Sequence, residues 1–217
     1  MKIRTKEEFQ DAVDSETSWR KKELSAINSN ISSARKFSKN TALRAGIAML
    51  YAHWEGLVKK VASYYLEYVS FQNLTYGELK TNFLAISIKE ELKMFDSSNK
   101  ATIHNQIVSR IKKKQNEKSK IPYENIIKTN SNLNSLIFVE IMETIGLDYS
   151  QYQMSFNMID EVLLKMRNEI AHGERLESIS LDQERFEEIY SVMIDMMNQF
   201  VSQVTNAVYL EEYKVEE

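Results

Sequence analysis

Apolar side chains recur at steps of three and four residues along most of the chain, the period of helices with one face turned inward. Thr5 followed by Glu8 makes a capping box, and Phe9, Val13, Leu24, Ile27 and Ile31 then share one side of a first helix predicted to run to about Phe37. A second helix begins near Asn40 or Thr41 and carries Ile47, Leu50, Tyr51, Trp54, Val58, Val61 and Tyr65 at helical spacing. Ala45, Ala48, Ala52, Gly56 and Ser63 cluster on a different side of it, a stripe low enough for close packing by the first or the last helix.

Leu79, Phe83, Ile86, Glu90 and Met94 predict a third helix from Tyr76 to about Phe95, and Ile103, Ile107 and Ile111 a fourth from Asn99 to about Lys113. Between them Asp96-Ser97-Ser98-Asn99 reads as a turn and cap. The run from Arg110 to Lys120 is strongly basic, is followed by Pro122, and is expected to be a mobile, exposed loop. An apolar helix spans about Leu133 to Ile145 with Gly146 in the C-cap position, and another spans about Ser155 to Ala171 and stops at Gly173. Ser180 with Gln183 is expected to cap a long final helix whose inner stripe is Phe186, Tyr190, Met193, Met197, Phe200 and Val204. The pattern is all-α: a helical bundle with long antiparallel helices and shorter helices inserted between them, read as one domain over residues 1–217 without internal repeats.

Composition narrows the function classes. One proline and five glycines leave too little punctuation for many short strands. The lack of cysteine excludes disulfides, thiol catalysis and thiolate metal sites, and fits a cytoplasmic setting. No stretch approaches 18 apolar residues and the first residues lack an apolar signal core, so neither a membrane span nor export is expected. A net charge of -3 argues against coating nucleic acid through the overall field, so any RNA contact must be local. No short helix-turn-helix with a basic recognition helix stands out, which leaves a DNA-binding regulator poorly supported.

The chemistry-bearing segment is Arg167-Asn168-Glu169-Ile170-Ala171-His172. Ile159, Leu163, Met166 and Ile170 share the core face of its helix, while Asn168 and His172, four apart, project together on the far side with Leu164 and Ala171 at their border. Arg167 stands roughly 140° around the axis from His172, so a shared cavity needs its long side chain or an unwound last turn. Imidazole titrates near neutrality and can take or give a proton, and a guanidinium can donate two hydrogen bonds to a phosphate. An arginine and a histidine near a helix C-terminus also sit well against the helix dipole in any protein, so the spacing alone leaves a purely structural role open.

Other polar residues are weaker candidates. His53 and Glu55 flank Trp54 and are expected to be exposed beside a core tryptophan, with both as accessory groups if that face meets the motif helix. Lys112, Lys113 and Lys114 belong to a solvated run that would otherwise serve as a phosphate-tracking arm. His104 reads as a surface or boundary residue. The three histidines include no pair at ligand spacing, so no metal site and no cofactor are expected.

Arg167-x-x-x-x-His172, with a polar residue after the arginine and Gly173-Glu174 following, resembles the RNxxxH signature of the HEPN superfamily. Ala48-Met49-Leu50-Tyr51-Ala52-His53-Trp54-Glu55-Gly56 is similar to the second-helix region of its RiboL-PSP and MAE-type branch, which contains ribonuclease toxins. The resemblance implies a metal-independent endoribonuclease whose two subunits face each other across the motif helices, with Arg167 and His172 as the catalytic pair and Asn168 in support. It implies attack of a ribose 2′-hydroxyl on the adjacent phosphorus, and a toxin or defence role held in check by an antitoxin. The family also contains non-catalytic interaction and nucleotide-binding modules, and the motif by itself does not separate the two.

Overall fold

The computed structural model describes residues 2–174 and 181–215. Its helices are α1 (Lys6–Ser33), α2 (Lys36–Ser70), α3 (Thr81–Ser87), α4 (Lys89–Asp96), α5 (Ala101–Lys114), α6 (Ser135–Ile145), α7 (Lys165–Ala171) and α8 (Gln183–Tyr209), and the described residues form no strand. The fold is an all-α bundle built around α2, which packs against α1, α6, α7 and α8.

The capping box opens α1 as its sequence requires: the Thr5 hydroxyl accepts the Glu8 N–H, and the Glu8 carboxylate accepts that of Thr5. Phe9, Val13, Leu24 and Ile31 face inward, but Thr17 and Arg20 occupy the middle of the same stripe. The helix ends at Ser33 and not at Phe37. Ala34 and Arg35 are extended, and the Ser32 and Ser33 hydroxyls bond back to the carbonyls of Asn28 and Ser29. Lys39 donates to the Ile31 carbonyl at 2.6 Å and to Gln183 of α8 at 2.5 Å, so a charged side chain both caps α1 and ties it to the last helix. Phe37, 83% exposed, belongs to the first turn of α2.

Ring contacts and close approaches give the helix directions. Phe9 lies beside Tyr68, Arg20 beside His53 and Ile31 against Gly46, so α1 and α2 are antiparallel. Phe186 meets Gly46 and Phe200 meets Trp54, so α8 runs with α2 and against α1. A Cβ at Gly46 would stand 2.5 Å from Ile31 Cδ1 and 2.7 Å from Phe186 Cε2, which makes this the point where three helices converge. The small-residue stripe is therefore used at Gly56, which faces Arg20, while Ala45 and Ala52 remain exposed.

The predicted third helix divides at Ile88 into α3 and α4. Phe83 enters the main core, whereas Tyr76, Leu84 and Ile88 form a separate small cluster with Ile111 of α5. The basic run is not a mobile loop: α5 continues to Lys114, and the chain after it is tied down. Lys114 donates to the Ser87 carbonyl, lies 3.9 Å from Glu91 and sits over the Tyr76 ring. Ser119 N–H bonds the Leu74 carbonyl, and Lys118 bonds that of Asn73. Helix α8 starts at Gln183 with the Asp182 carboxylate accepting the Arg185 N–H at 2.8 Å; the expected cap Ser180 lies outside the described residues. Among the described residues no helix is long and apolar enough to cross a membrane.

Candidate functional site

The segment bearing the arginine and histidine is less regular than its spacing predicts. A 3-10 turn over Ser150–Ser155 leads into a π-helical stretch, Met158–Leu164, and only then into α7. Such wide turns admit one extra residue and recur at functional sites. Ile159, Leu163 and Met166 are buried as expected and Ile170 packs at the core edge, while Leu164, only 7% exposed, borders Asn168 and His172 from the floor of their face. Asp160 anchors the wide turn, accepting the Ser135 N–H and hydroxyl at 2.7 and 2.5 Å at the start of α6.

Gly173 ends the helix. With φ at 74° it adopts the left-handed conformation that glycine tolerates, its N–H bonds the Ile170 carbonyl, and the Glu174 N–H bonds that of Glu169. This double closure leaves His172 exposed at the helix terminus, its ring without a hydrogen bond to any described residue. Leu164, Asn168 and His172 line an open groove of about 390 Å³ whose rim is Asp160, Glu161, Lys165, Glu169 and Glu174.

Arg167 does not line that groove. Its guanidinium lies 4.9 Å over the Tyr51 ring of α2 and donates to Asn168 Oδ1 at 2.8 Å. Asn168 therefore touches both parts: its carboxamide holds the guanidinium, and its side chain walls the groove that contains His172. The structure unites Asn168 with His172 and joins Arg167 to them through that amide.

Tyr51 was legible in the sequence only as a core residue. Its hydroxyl accepts the Leu133 N–H at 2.5 Å, and burial above all raises its pKa well above the usual phenol range. The Glu55 carboxylate raises it further and Arg167 opposes, so Glu55 and Arg167 act on the same hydroxyl. The signal available beforehand was the four-residue step from Tyr51 to Glu55 on one helix face.

His53 is the clearest departure: it is 2% exposed, where an exposed residue was expected. Its burial follows from Arg20, whose Nη1 lies 3.3 Å from His53 Nδ1 and donates to the His53 carbonyl. The same guanidinium bonds Glu16 and covers the Trp19 ring. Because Arg20 has only protons to offer, Nδ1 must accept, which leaves the proton on Nε2, 2.9 Å from Glu23 Oε2. Burial first, and Arg20 as well, hold the His53 pKa below its ordinary 6.5, against the pull of Glu23 and Glu16.

The folded chain thus binds the His53 proton more weakly than the unfolded chain, so stability present above pH 6.5 is lost as the pH falls through the folded pKa. Melting temperature is expected to decline on that acid limb, and His53→Gln should flatten the decline. Parallel limbs for the two proteins would remove His53 as its cause.

The remaining candidates are dispersed. Lys112 and Lys113 are exposed on the last turn of α5, while Lys114 is engaged as described above. His104 stacks on Phe95 at 4.1 Å and contacts the Ser98 carbonyl, a local role within the α4–α5 hairpin. Among the described residues no group of three or more acidic or histidine side chains is arranged to hold a metal.

A family model described as RiboL-PSP-HEPN matches residues 15–206, a span that includes α2, the motif helix and most of α8. No curated protein and no solved structure matches the chain significantly.

Proposed function

Because the chain belongs to the RiboL-PSP-HEPN family, we propose that it is a metal-independent endoribonuclease, acting in the cytoplasm as a toxin or defence effector under the control of a partner protein. The supporting observation is the Asn168 carboxamide, bonded to Arg167 on one side and walling the His172 groove on the other.

In this reading His172 takes the proton of a ribose 2′-hydroxyl, and the 2′ oxygen attacks the adjacent phosphorus. The bond from phosphorus to the 5′ oxygen breaks, and that oxygen leaves as a hydroxyl after gaining a proton from an imidazolium. Arg167 spends one N–H on Asn168 and has others for the phosphate oxygens, whose charge grows in the transition state. Tyr51 and Glu55 position the guanidinium. His53 acts at one remove, through the packing of α1 on α2.

Among the described residues the groove is a poor seat for a polyanion: Asp160, Glu161 and Glu174 stand on its rim beside Lys165. The proposal includes a homodimer in which two motif helices face each other and bring two Arg167 and His172 pairs to one cleft. The same acidity favours the interaction-module form of the second reading, a non-catalytic interaction or nucleotide-binding module, since a protein partner need not be anionic.

Incubation of the purified protein with single-stranded RNA and tRNA in EDTA separates the two. The nuclease reading expects fragments with 2′,3′-cyclic phosphate and 5′-hydroxyl ends. Intact RNA at every protein concentration would favour the module, and cleavage only with a divalent ion would overturn the metal-independent chemistry.

A further inference from the structure

A second cavity, of about 610 Å³, opens on the C-terminal half of α2, where the N-terminal segment and the 123–127 loop meet it. Lys2, Lys59, Lys60, Tyr64 and Tyr123 are among its walls. Several charged side chains near the other helix ends are paired: Lys6 and Lys214 with Glu211, Arg110 and Lys114 with Glu91, Arg185 with Glu188. No described carboxylate lies within ion-pair distance of Lys2, Lys59 or Lys60. Of the two acids in the walls, Glu67 is occupied by the Ile3 N–H, and Glu124 is exposed.

Aromatic surface lies beside these charges. Lys2 and Arg4 sit 5.6 and 5.3 Å over the Phe71 ring, and Phe71 packs on Tyr123 at 6.0 Å. Tyr64, whose pKa burial raises above the usual phenol value, supplies a hydroxyl donor. Unpaired cations with aromatic faces, in a cavity open to solvent, are the elements by which proteins follow a single strand without reading its sequence.

The motif groove gains from such a site, since its described rim sets Asp160, Glu161 and Glu174 beside Lys165. Lys59 lies eight residues beyond Tyr51, the residue under Arg167, a distance of about 12 Å along α2. Ala52, exposed and on the same side of the helix as Lys59, keeps the surface between low.

We infer that the cavity walled by Lys2, Lys59, Lys60, Tyr64 and Tyr123 holds the phosphodiester backbone of single-stranded RNA and anchors the substrate beside the motif groove. The inference rests on the ribonuclease reading and gives it a substrate form, an unpaired strand several nucleotides longer than the cleaved step.

The test uses His172→Ala protein, to prevent turnover, and a fluorescent single-stranded RNA whose anisotropy is followed across a salt series. Lys59→Glu with Lys60→Glu is expected to weaken binding about tenfold or more, and to lower the salt slope by about 1.4, or 0.7 for each of two lost phosphate contacts. Lys112→Glu with Lys113→Glu makes the same charge change on α5 and should have a clearly smaller effect. Unchanged affinity in the first variant, or equal losses in both, overturns the anchoring site. Cleavage by the parent protein, measured in parallel, isolates the cause: cleavage with unchanged binding sinks the cavity alone, whereas neither cleavage nor binding sinks the nuclease reading beneath it.

Discussion

Replacing His172 by alanine is expected to lower RNA cleavage by about 10²–10⁴-fold, the contribution of a positioned acid–base group, while helix content and melting temperature stay at the parental values. The asymmetry follows from how the residue is held. The backbone at the end of α7 is closed by Gly173 and Glu174 through main-chain bonds that do not involve the imidazole. The ring is exposed and makes no hydrogen bond to a described residue, so its removal opens no cavity and strands no buried partner. Arg167→Ala is a less clean experiment, because that guanidinium also covers Tyr51 and holds Asn168. Cleavage by His172→Ala at the parental rate would refute the assignment. A loss of activity accompanied by a large fall in melting temperature would place His172 in the architecture and not in the chemistry.

Trp54→Ala is expected to cost about 3–5 kcal/mol, enough to unfold much of a marginally stable population. Trp54 is fully buried, two residues before Gly56, and its ring packs against Phe138 of α6 at 5.5 Å and Phe200 of α8 at 6.3 Å. Phe138 in turn meets Tyr152 at 4.9 Å in the turn that leads to the motif segment, so a cavity at Trp54 loosens the wall against which that segment is laid. Trp54→Phe should cost far less. The indole N–H is buried without a hydrogen-bond partner, so the phenyl ring gives up volume but no satisfied polar contact. Chemical denaturation of the three proteins measures both values, and equal losses for alanine and phenylalanine would show that ring volume is not what α6 and α8 require there.

The acid-sensitive cluster and the motif site are separate uses of α2. Toward α1 it presents His53 and Gly56 to Arg20; toward α7 it presents Tyr51, with Glu55 beside its hydroxyl, to Arg167. A single helix thus carries the packing contact that fixes α1 and the aromatic platform for the motif arginine. The Ala48–Gly56 block that resembled the family in sequence is the stretch that performs both tasks.

What the sequence alone determined was whatever depends on neighbours three or four residues away. The helical period, the Thr5 and Glu8 box, the glycine stops at Gly146 and Gly173, and the inward set Ile159, Leu163 and Met166 all arise from local backbone geometry. The motif that marks the family is local in the same sense. Tertiary structure decided what depends on partners far along the chain. His53 is buried because Arg20, 33 residues earlier, reaches it; the basic run is fixed because Asn73, Leu74 and Ser87 accept its donors; and Arg167 turns to Tyr51 because α2 lays an aromatic face beneath it. Burial of a polar group is favourable only where a distant residue satisfies it, and no local period records where that residue will come from.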